Sequence, residues 1–251
     1  MSGIFGEPGT LVGHRGLGAG VVDGLTQNTM ESFLRGIELG LEWIEVDVRR
    51  ARDDELFVIH NTVLPDGSQV SARSASDLDA VGALRLDALL EAVPEAVGVV
   101  FDVKSSVADA GRPAAMTTAG ILGRWCAARL GTRPALTQSF DPAALGQVRA
   151  GDPRMALGWL TWLNFPIGIA VAAAAHLDVQ LLALHAGSLD PQVQRRFGED
   201  ASVDEVTGAV HGAGRELMVW CPAPDVLDAL RNGGVDALVV DDVPRVLTTH
   251  R

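Results

Sequence analysis

The chain has 251 residues, 47% hydrophobic and 21% charged, with 20 basic against 32 acidic side chains and a formal net charge of −12. That hydrophobic content excludes a disordered chain, and the acidic balance argues against nucleic acid as a partner, whose phosphates call for cationic surface. Two cysteines, Cys126 and Cys221, are too few for a disulfide scaffold.

Residues 1–10 carry no basic n-region and no apolar h-region, so a soluble, cytoplasmic protein is expected. A first strand is expected over Thr10–Gly13, opening into His14-Arg15-Gly16. A histidine and an arginine where a strand becomes a loop suit an acid/base group and an anion clamp. Gly16-Leu-Gly-Ala-Gly20 is a poor dinucleotide-binding turn, because the next helix, Thr29–Leu39, starts too far away.

The second strand, Trp43–Arg49, alternates so that Glu45 and Asp47 share one face while Ile44, Val46 and Val48 share the other. Packed under helices, the apolar face points out and both carboxylates point inward. Two such oxygens at i and i+2 repel unless a cation sits between them, and they suit one hard divalent ion, Mg²⁺, Ca²⁺ or Mn²⁺. Leu56–Ile59 is expected to extend this strand as a hairpin that ends at His60, a second acid/base candidate. A helix over Leu86–Ala92 leads to the third strand, Gly98–Lys104, with Asp102 and Lys104 inward. Lys104 is the only lysine of the chain. Its ammonium suits a phosphate oxygen or a metal-bound carboxylate, with a structural ion pair to Asp102 as the alternative.

The remaining units follow as helix Pro113–Leu130, strand Ala135–Ser139, helix Pro142–Ala150, strand Met155–Leu160 and helix Pro166–Ala175. Residues 157–177 lack a formal charge and are long enough to cross a bilayer. Thr161, Asn164, Pro166 and His176 interrupt them, so a strand, a loop and a buried alanine-rich helix are expected. In that loop, Trp162 and Phe165 either form an apolar lip for an acyl chain or a membrane interface, or pack against neighbouring loops. Strand Val179–His185, a helical segment from Pro191 to His211, strand Glu216–Trp220, helix Ala223–Asn232, strand Ala237–Asp241 and helix Pro244–Thr249 complete the chain. Trp220 is either a substrate-packing residue in the mouth or part of the core. His176 and His185 read as core or loop residues, His211 and His250 as solvent-facing ones. Glu199-Asp200 with Asp204-Glu205 reads as a solvated helix start.

Eight strands, each followed by a helix, make an α/β chain of the (β/α)8 TIM-barrel type, a single domain over residues 1–251. The site then belongs at the C-terminal strand ends. There Glu45, Asp47 and Asp102 form a three-carboxylate cation site ringed by His14, His60, Arg15 and Lys104. Two histidines, two cations and a metal suit in-line displacement at phosphorus.

On these residues the chain resembles the glycerophosphodiester phosphodiesterase family. The matching elements are His14-Arg15-Gly16, Gln27-Asn28-Thr29, Ser32-Phe33, Ile44-Glu45-Val46-Asp47-Val48, His60 and Asp102-Val103-Lys104. Ser139-Phe140-Asp141, the strand ending at Trp220, Gly234-Val235-Asp236 and Asp242-Val243-Pro244 look like its later signatures. The resemblance implies a hydrolase that binds one divalent cation and splits glycerophosphodiesters into an alcohol and glycerol 3-phosphate. It implies Glu45, Asp47 and Asp102 as metal ligands, His14 and His60 as general acid and base, and Arg15 and Lys104 as phosphate contacts. Gln27 replaces the family's usual glutamate, Asn61 its usual aspartate, and the insertion after the second strand, residues 62–85, is shortened. These departures bear on the glycerol head group more than on the phosphodiester chemistry. A lysophospholipase D or sphingomyelinase D type of lipid phosphodiesterase acting on a lysolipid remains an alternative, as does a non-catalytic barrel that binds phosphorylated ligands. The sequence leaves the oligomeric state open.

Overall fold

The computed structural model describes residues 3–249, so His250 lies outside the described residues. Eight parallel strands close on themselves: β1 (Thr10–Gly13), β2 (Trp43–Arg50), β3 (Gly98–Val103), β4 (Ala135–Ser139), β5 (Ala156–Leu160), β6 (Leu181–His185), β7 (Glu216–Trp220) and β8 (Ala237–Val240). Closure comes from β1, which pairs with β8 from Thr10↔Ala237 to Gly13↔Val240 and with β2 at Val12↔Trp43 and Gly13↔Ile44. The interleaved helices are α1 (Met30–Glu38), α2 (Leu86–Ala92), α3 (Thr118–Arg129), α4 (Pro142–Gly151), α5 (Ile167–His176), α6 (Val203–Gly212), α7 (Leu227–Asn232) and α8 (Val243–Thr249). This is the expected (β/α)8 TIM barrel.

Strand alternation builds two apolar layers. Ile44, Val46 and Val48 of β2 join Val99, Phe101 and Val103 of β3 in the outer layer beneath the helices. Val12, Trp43, Val100, Leu136, Leu181 and Met218 fill the barrel interior. Its floor is plugged by Phe5, edge-on to Trp43 at 4.8 Å between centroids. The Trp43 ring lies over Gly98, where an added Cβ would sit 2.4 Å from a ring carbon. Glycine at this position makes room for the indole.

Leu56–Val58 pairs antiparallel with the end of β2, through Val48↔Val58 and Arg49↔Phe57, as the expected hairpin. Leu84–Arg85 adds to its free edge, and Phe57, Val70 and Leu78 form a small satellite core beneath this insertion.

Several expected boundaries shift for local reasons. Pro113 leads into a tight turn over Ala114–Met116, and α3 begins only after Thr117, whose hydroxyl accepts from the Gly120 N–H. The segment from Pro191 to His211 is not one helix. It breaks at Gly198, with φ +74°, and restarts as α6 after a Ser202/Glu205 capping box. The alanine-rich α5 is not buried all round: Ile167, Ala170 and Ala174 face the core while Ile169 is exposed. Among the described residues no helix is long and apolar enough to cross a membrane. Glu199 is not merely solvated, because its carboxylate accepts from the Ile167 and Gly168 N–H groups, both at 2.8 Å, at the start of α5.

Candidate active site

The carboxylates at the barrel mouth are delivered by the parallel strands β2 and β3. Alternation along β2 puts Glu45, Asp47 and Arg49 on the inner face, and β3 adds Asp102 with Lys104 one step beyond its end. Glu45, Asp47 and Asp102 are 1%, 0% and 4% exposed, and they bring one oxygen each to within 4.8 Å of one another. Glu45 and Asp102 line a cavity of about 630 Å³ whose wall also includes His14, Arg15, His60, Lys104 and Trp220.

Local charge is arranged around Asp47. Arg15 Nε lies 3.0 Å and Lys104 Nζ 2.9 Å from its carboxylate, and Asn28 Nδ2 donates to it at 2.7 Å. Burial disfavours its charge, yet Lys104 and Arg15 outweigh burial and hold the carboxyl below the usual range. Asp102 pairs with Lys104, but burial still pushes its carboxyl up. Lys104 loses solvation, yet the surrounding carboxylates hold its ammonium protonated well above the usual range. Among the described residues Glu45 has no lysine or arginine side chain in ion-pair contact, only the His14 imidazole at 3.8 Å. Burial, and then the Asp47 charge, push the Glu45 carboxyl up to about 8.

Three carboxylates face two fixed cations, so full ionisation would leave one negative charge over, and burial favours the protonated form of Glu45. Glu45 Oε1 and Asp102 Oδ1 are buried with no hydrogen-bond partner. Orphaned acceptors in an all-oxygen cluster fit a hard divalent cation. Lys104 touches both Asp47 and Asp102, so it acts as a counter-ion within the cluster as well as lining the cavity.

The two histidines are set differently. His14 Nδ1 donates to Asp241 Oδ1 at 2.5 Å, and its Nε2 lies 3.8 Å from Glu45 Oε2. Burial alone would lower its pKa, but Asp241 and Glu45 prevail and raise it. His60 follows the antiparallel extension of β2. Arg49 Nε and Nη2 both donate to its backbone carbonyl, at 2.9 and 2.8 Å, and its Nδ1 is bound to Asn61 Oδ1 at 2.9 Å. Desolvation lowers its pKa.

The substitution at Gln27 is absorbed locally, since its Oε1 accepts from Arg15 Nη1 at 3.0 Å and from the Gly20 N–H at 2.7 Å. Arg15 itself adopts φ +56° and donates its N–H to Glu45 Oε2 at 3.1 Å. Gly18, at φ +147°, approaches the loop after β8 so closely that a Cβ would sit 1.8 Å from the Asp241 carbonyl oxygen.

Of the aromatics, Trp162 is 63% exposed and stacks on Phe140 at 4.2 Å, beside the cavity. Trp220 lines the cavity and packs against His185 at 4.4 Å. Phe165 does not join them. It turns inward, edge-on to Trp159 at 5.5 Å and against the outer apolar layer, so the lip contains Trp162 but not Phe165. His176 is exposed at the end of α5, and His211 is exposed and paired with Asp236. The sequence reading missed Asp241, Arg49 and Phe140.

A closed (β/α)8 barrel whose mouth gathers carboxylates, cations and two histidines defines the class: barrel proteins with a polar, acid/base-equipped site at the strand C-termini. Residues 14–245 match the glycerophosphoryl diester phosphodiesterase family, and the chain belongs to that family. Among solved structures it is similar to an Oleispira antarctica phosphodiesterase in complex with the product sn-glycerol-3-phosphate, at 18% identity and a TM-score of 0.76, over 95% of each chain. A Thermotoga maritima glycerophosphodiester phosphodiesterase is also similar, at 18% identity and a TM-score of 0.74, over 96% of this chain and 98% of that one. A curated relative, the glycerophosphocholine phosphodiesterase of Schizosaccharomyces pombe, is 34% identical over 58 residues, which span 22% of this chain and 5% of that protein.

Proposed function

We propose that this single barrel domain hydrolyses glycerophosphodiesters to an alcohol and glycerol 3-phosphate, using one divalent cation and the histidines His14 and His60. The observation that carries the reading is the buried Glu45, Asp47, Asp102 cluster, of which Glu45 and Asp102 share a cavity wall with both histidines. A divalent cation held by those carboxylates would stabilise developing charge on the phosphoryl oxygens. Arg15 and Lys104 hold positive charge at the cavity, where a phosphate dianion or diester would dock. His14 presents Nε2 while Asp241 holds Nδ1, and His60 keeps Nε2 available while Asn61 holds Nδ1. One imidazole takes the proton of the attacking hydroxyl, and the other supplies the proton that the departing alcohol oxygen needs.

Release of glycerol 3-phosphate from glycerophosphocholine tests this reading. Chelator should abolish it, and His14→Ala or His60→Ala should each cost about 10²- to 10⁴-fold in kcat with the fold retained. Full activity in chelator, or in either variant, would reject the mechanism.

One feature favours a lysolipid substrate as a second reading: Trp162, which lines the cavity, and its chain neighbour Leu163 are 63% and 56% exposed. On that reading Trp162→Ala lowers turnover of lysophosphatidylcholine much more than that of glycerophosphocholine. An equal loss on both, or none, removes the lipid reading.

A further inference from the structure

The carboxylate cluster is not the sole group of potential ligands at the mouth. Three neighbouring strands, β7, β8 and β1, each place the residue just beyond their last one at a common point: Cys221, Asp241 and His14. The Cys221 thiol, the Asp241 carboxylate and the His14 imidazole offer one atom each within 4.8 Å of one another. Cys221 Sγ lies 3.8 Å from His14 Nδ1, and Asp241 Oδ1 lies 2.5 Å from the same nitrogen. The thiol is aimed there by unusual backbone, because Cys221 adopts φ +52°, left-handed and rare outside glycine, asparagine and aspartate.

We infer that His14, Cys221 and Asp241 form a second, inhibitory metal site for a thiophilic divalent cation of the Zn²⁺ type, distinct from the three-carboxylate site. The donor set is one nitrogen, one sulfur and one oxygen, which suits Zn²⁺ and does not suit Mg²⁺ or Ca²⁺. Zinc bond lengths of about 2.0 Å to nitrogen and about 2.3 Å to sulfur put tetrahedral N and S donors roughly 3.5 Å apart. The observed 3.8 Å is close to that edge, whereas the 2.5 Å His14–Asp241 hydrogen bond must open to roughly 3.3 Å when the metal replaces its proton, a small shift of the partly exposed Asp241 side chain. Three protein ligands leave a fourth position for water. The Asp241 side chain is 41% exposed, so the site has an approach from solvent.

The two sites lie on opposite edges of one ring. Nε2 of His14 faces Glu45, whereas the second site uses Nδ1. Metal binding at Nδ1 transfers that nitrogen's proton to Nε2 and releases the thiol proton to solvent. The thiolate and the Asp241 carboxylate then balance the dication, with no change in oxidation state. Nε2 is left permanently protonated, so His14 can no longer complete an acid/base cycle. The consequence for turnover rests on the phosphodiesterase reading, but the site itself does not.

The test uses Co²⁺ as a spectroscopic stand-in, added to the whole protein with Mg²⁺ in excess. A thiolate-to-cobalt charge-transfer band is expected in the near ultraviolet, bleached by Zn²⁺ but not by further Mg²⁺. Cys221→Ser should abolish the band, whereas Cys126→Ala, which removes the other thiol, should leave it. A parent without the band, a band removed by Mg²⁺, or one that survives Cys221→Ser overturns the site. If the protein turns over a diester, Zn²⁺ should inhibit the parent at a concentration at least about tenfold lower than it needs for Cys221→Ser, each rate taken relative to that variant without zinc. Equal zinc sensitivity overturns the inhibitory role. Failure to hydrolyse any diester would reject the phosphodiesterase reading and leave the cobalt spectrum as the measure of the site.

Discussion

At the scale of single residues, the site is organised by what holds each functional group rather than by the groups alone. His14 is the clearest case. Its Nδ1 is committed to Asp241, which selects the tautomer and aims Nε2 at the carboxylate cluster. Under the proposed mechanism Asp241 is therefore a positioning residue. Asp241→Asn keeps the shape but removes the charge that helps to raise the His14 pKa. We expect kcat to fall about 10- to 100-fold with little change in KM, and the His14 limb of the pH–rate profile to move to lower pH. An unmoved limb would show that Asp241 serves only structure. This pair was not legible in the sequence. His14 and Asp241 are 227 residues apart, and the contact exists because β1 and β8 close the barrel. Glu45 and Asp47, by contrast, could be read directly, because period-2 alternation with the apolar Ile44, Val46 and Val48 assigns both carboxylates to the opposite, inner face of β2.

At the scale of elements, the strands were more legible than the connections, for a physical reason. A parallel barrel strand is buried on both faces, so its apolar run is nearly continuous, as in Val99, Val100, Phe101 and Val103, where Asp102 is the one interruption. Loops obey contacts that arrive from elsewhere. Phe165 turned away from the mouth because Trp159 of β5 offered a ring to pack against, and Glu199 capped a helix that begins 32 residues earlier. Helix starts moved where a hydroxyl at the N-cap outweighed a proline upstream, as at Thr117. Between elements, fit is set by side-chain volume at a few crossings. Trp43 of β2 covers Gly98 of β3, and the two residues are register partners. Gly98→Ala should force the indole off its seat and lower stability by about 1–3 kcal/mol. The shift would be read as a lower urea midpoint at unchanged m-value, together with altered Trp43 fluorescence. An unchanged midpoint would mean that the floor around Phe5 and Trp43 yields more easily than its packing implies.

At the scale of the whole molecule, the net charge of −12 repels an anionic diester, so capture depends on local charge at one end of the barrel. That end carries a stability cost when no cation is bound. Glu45 is held at about 8 in the fold against 4.5 for an unstrained glutamate, so between those values the folded chain binds a proton that the unfolded chain has lost. The protonated, neutral form is the one the fold accommodates. Stability contributed by this proton is complete below about pH 4.5 and is lost as pH rises toward 8, by an amount on the order of 5 kcal/mol for a full shift of this size. In chelator, the Tm should therefore fall as pH is raised from about 5 to 8. On the proposal that a divalent cation binds the ionised carboxylates, saturating Mg²⁺ should restore it, with a Tm increment that grows with pH. Glu45→Gln should flatten the chelated profile, since an amide has no proton to lose. Glu45→Gln and the parent showing the same slope in chelator would remove Glu45 as the source of the dependence. A magnesium increment that does not change with pH would mean that the cation does not compete with this proton.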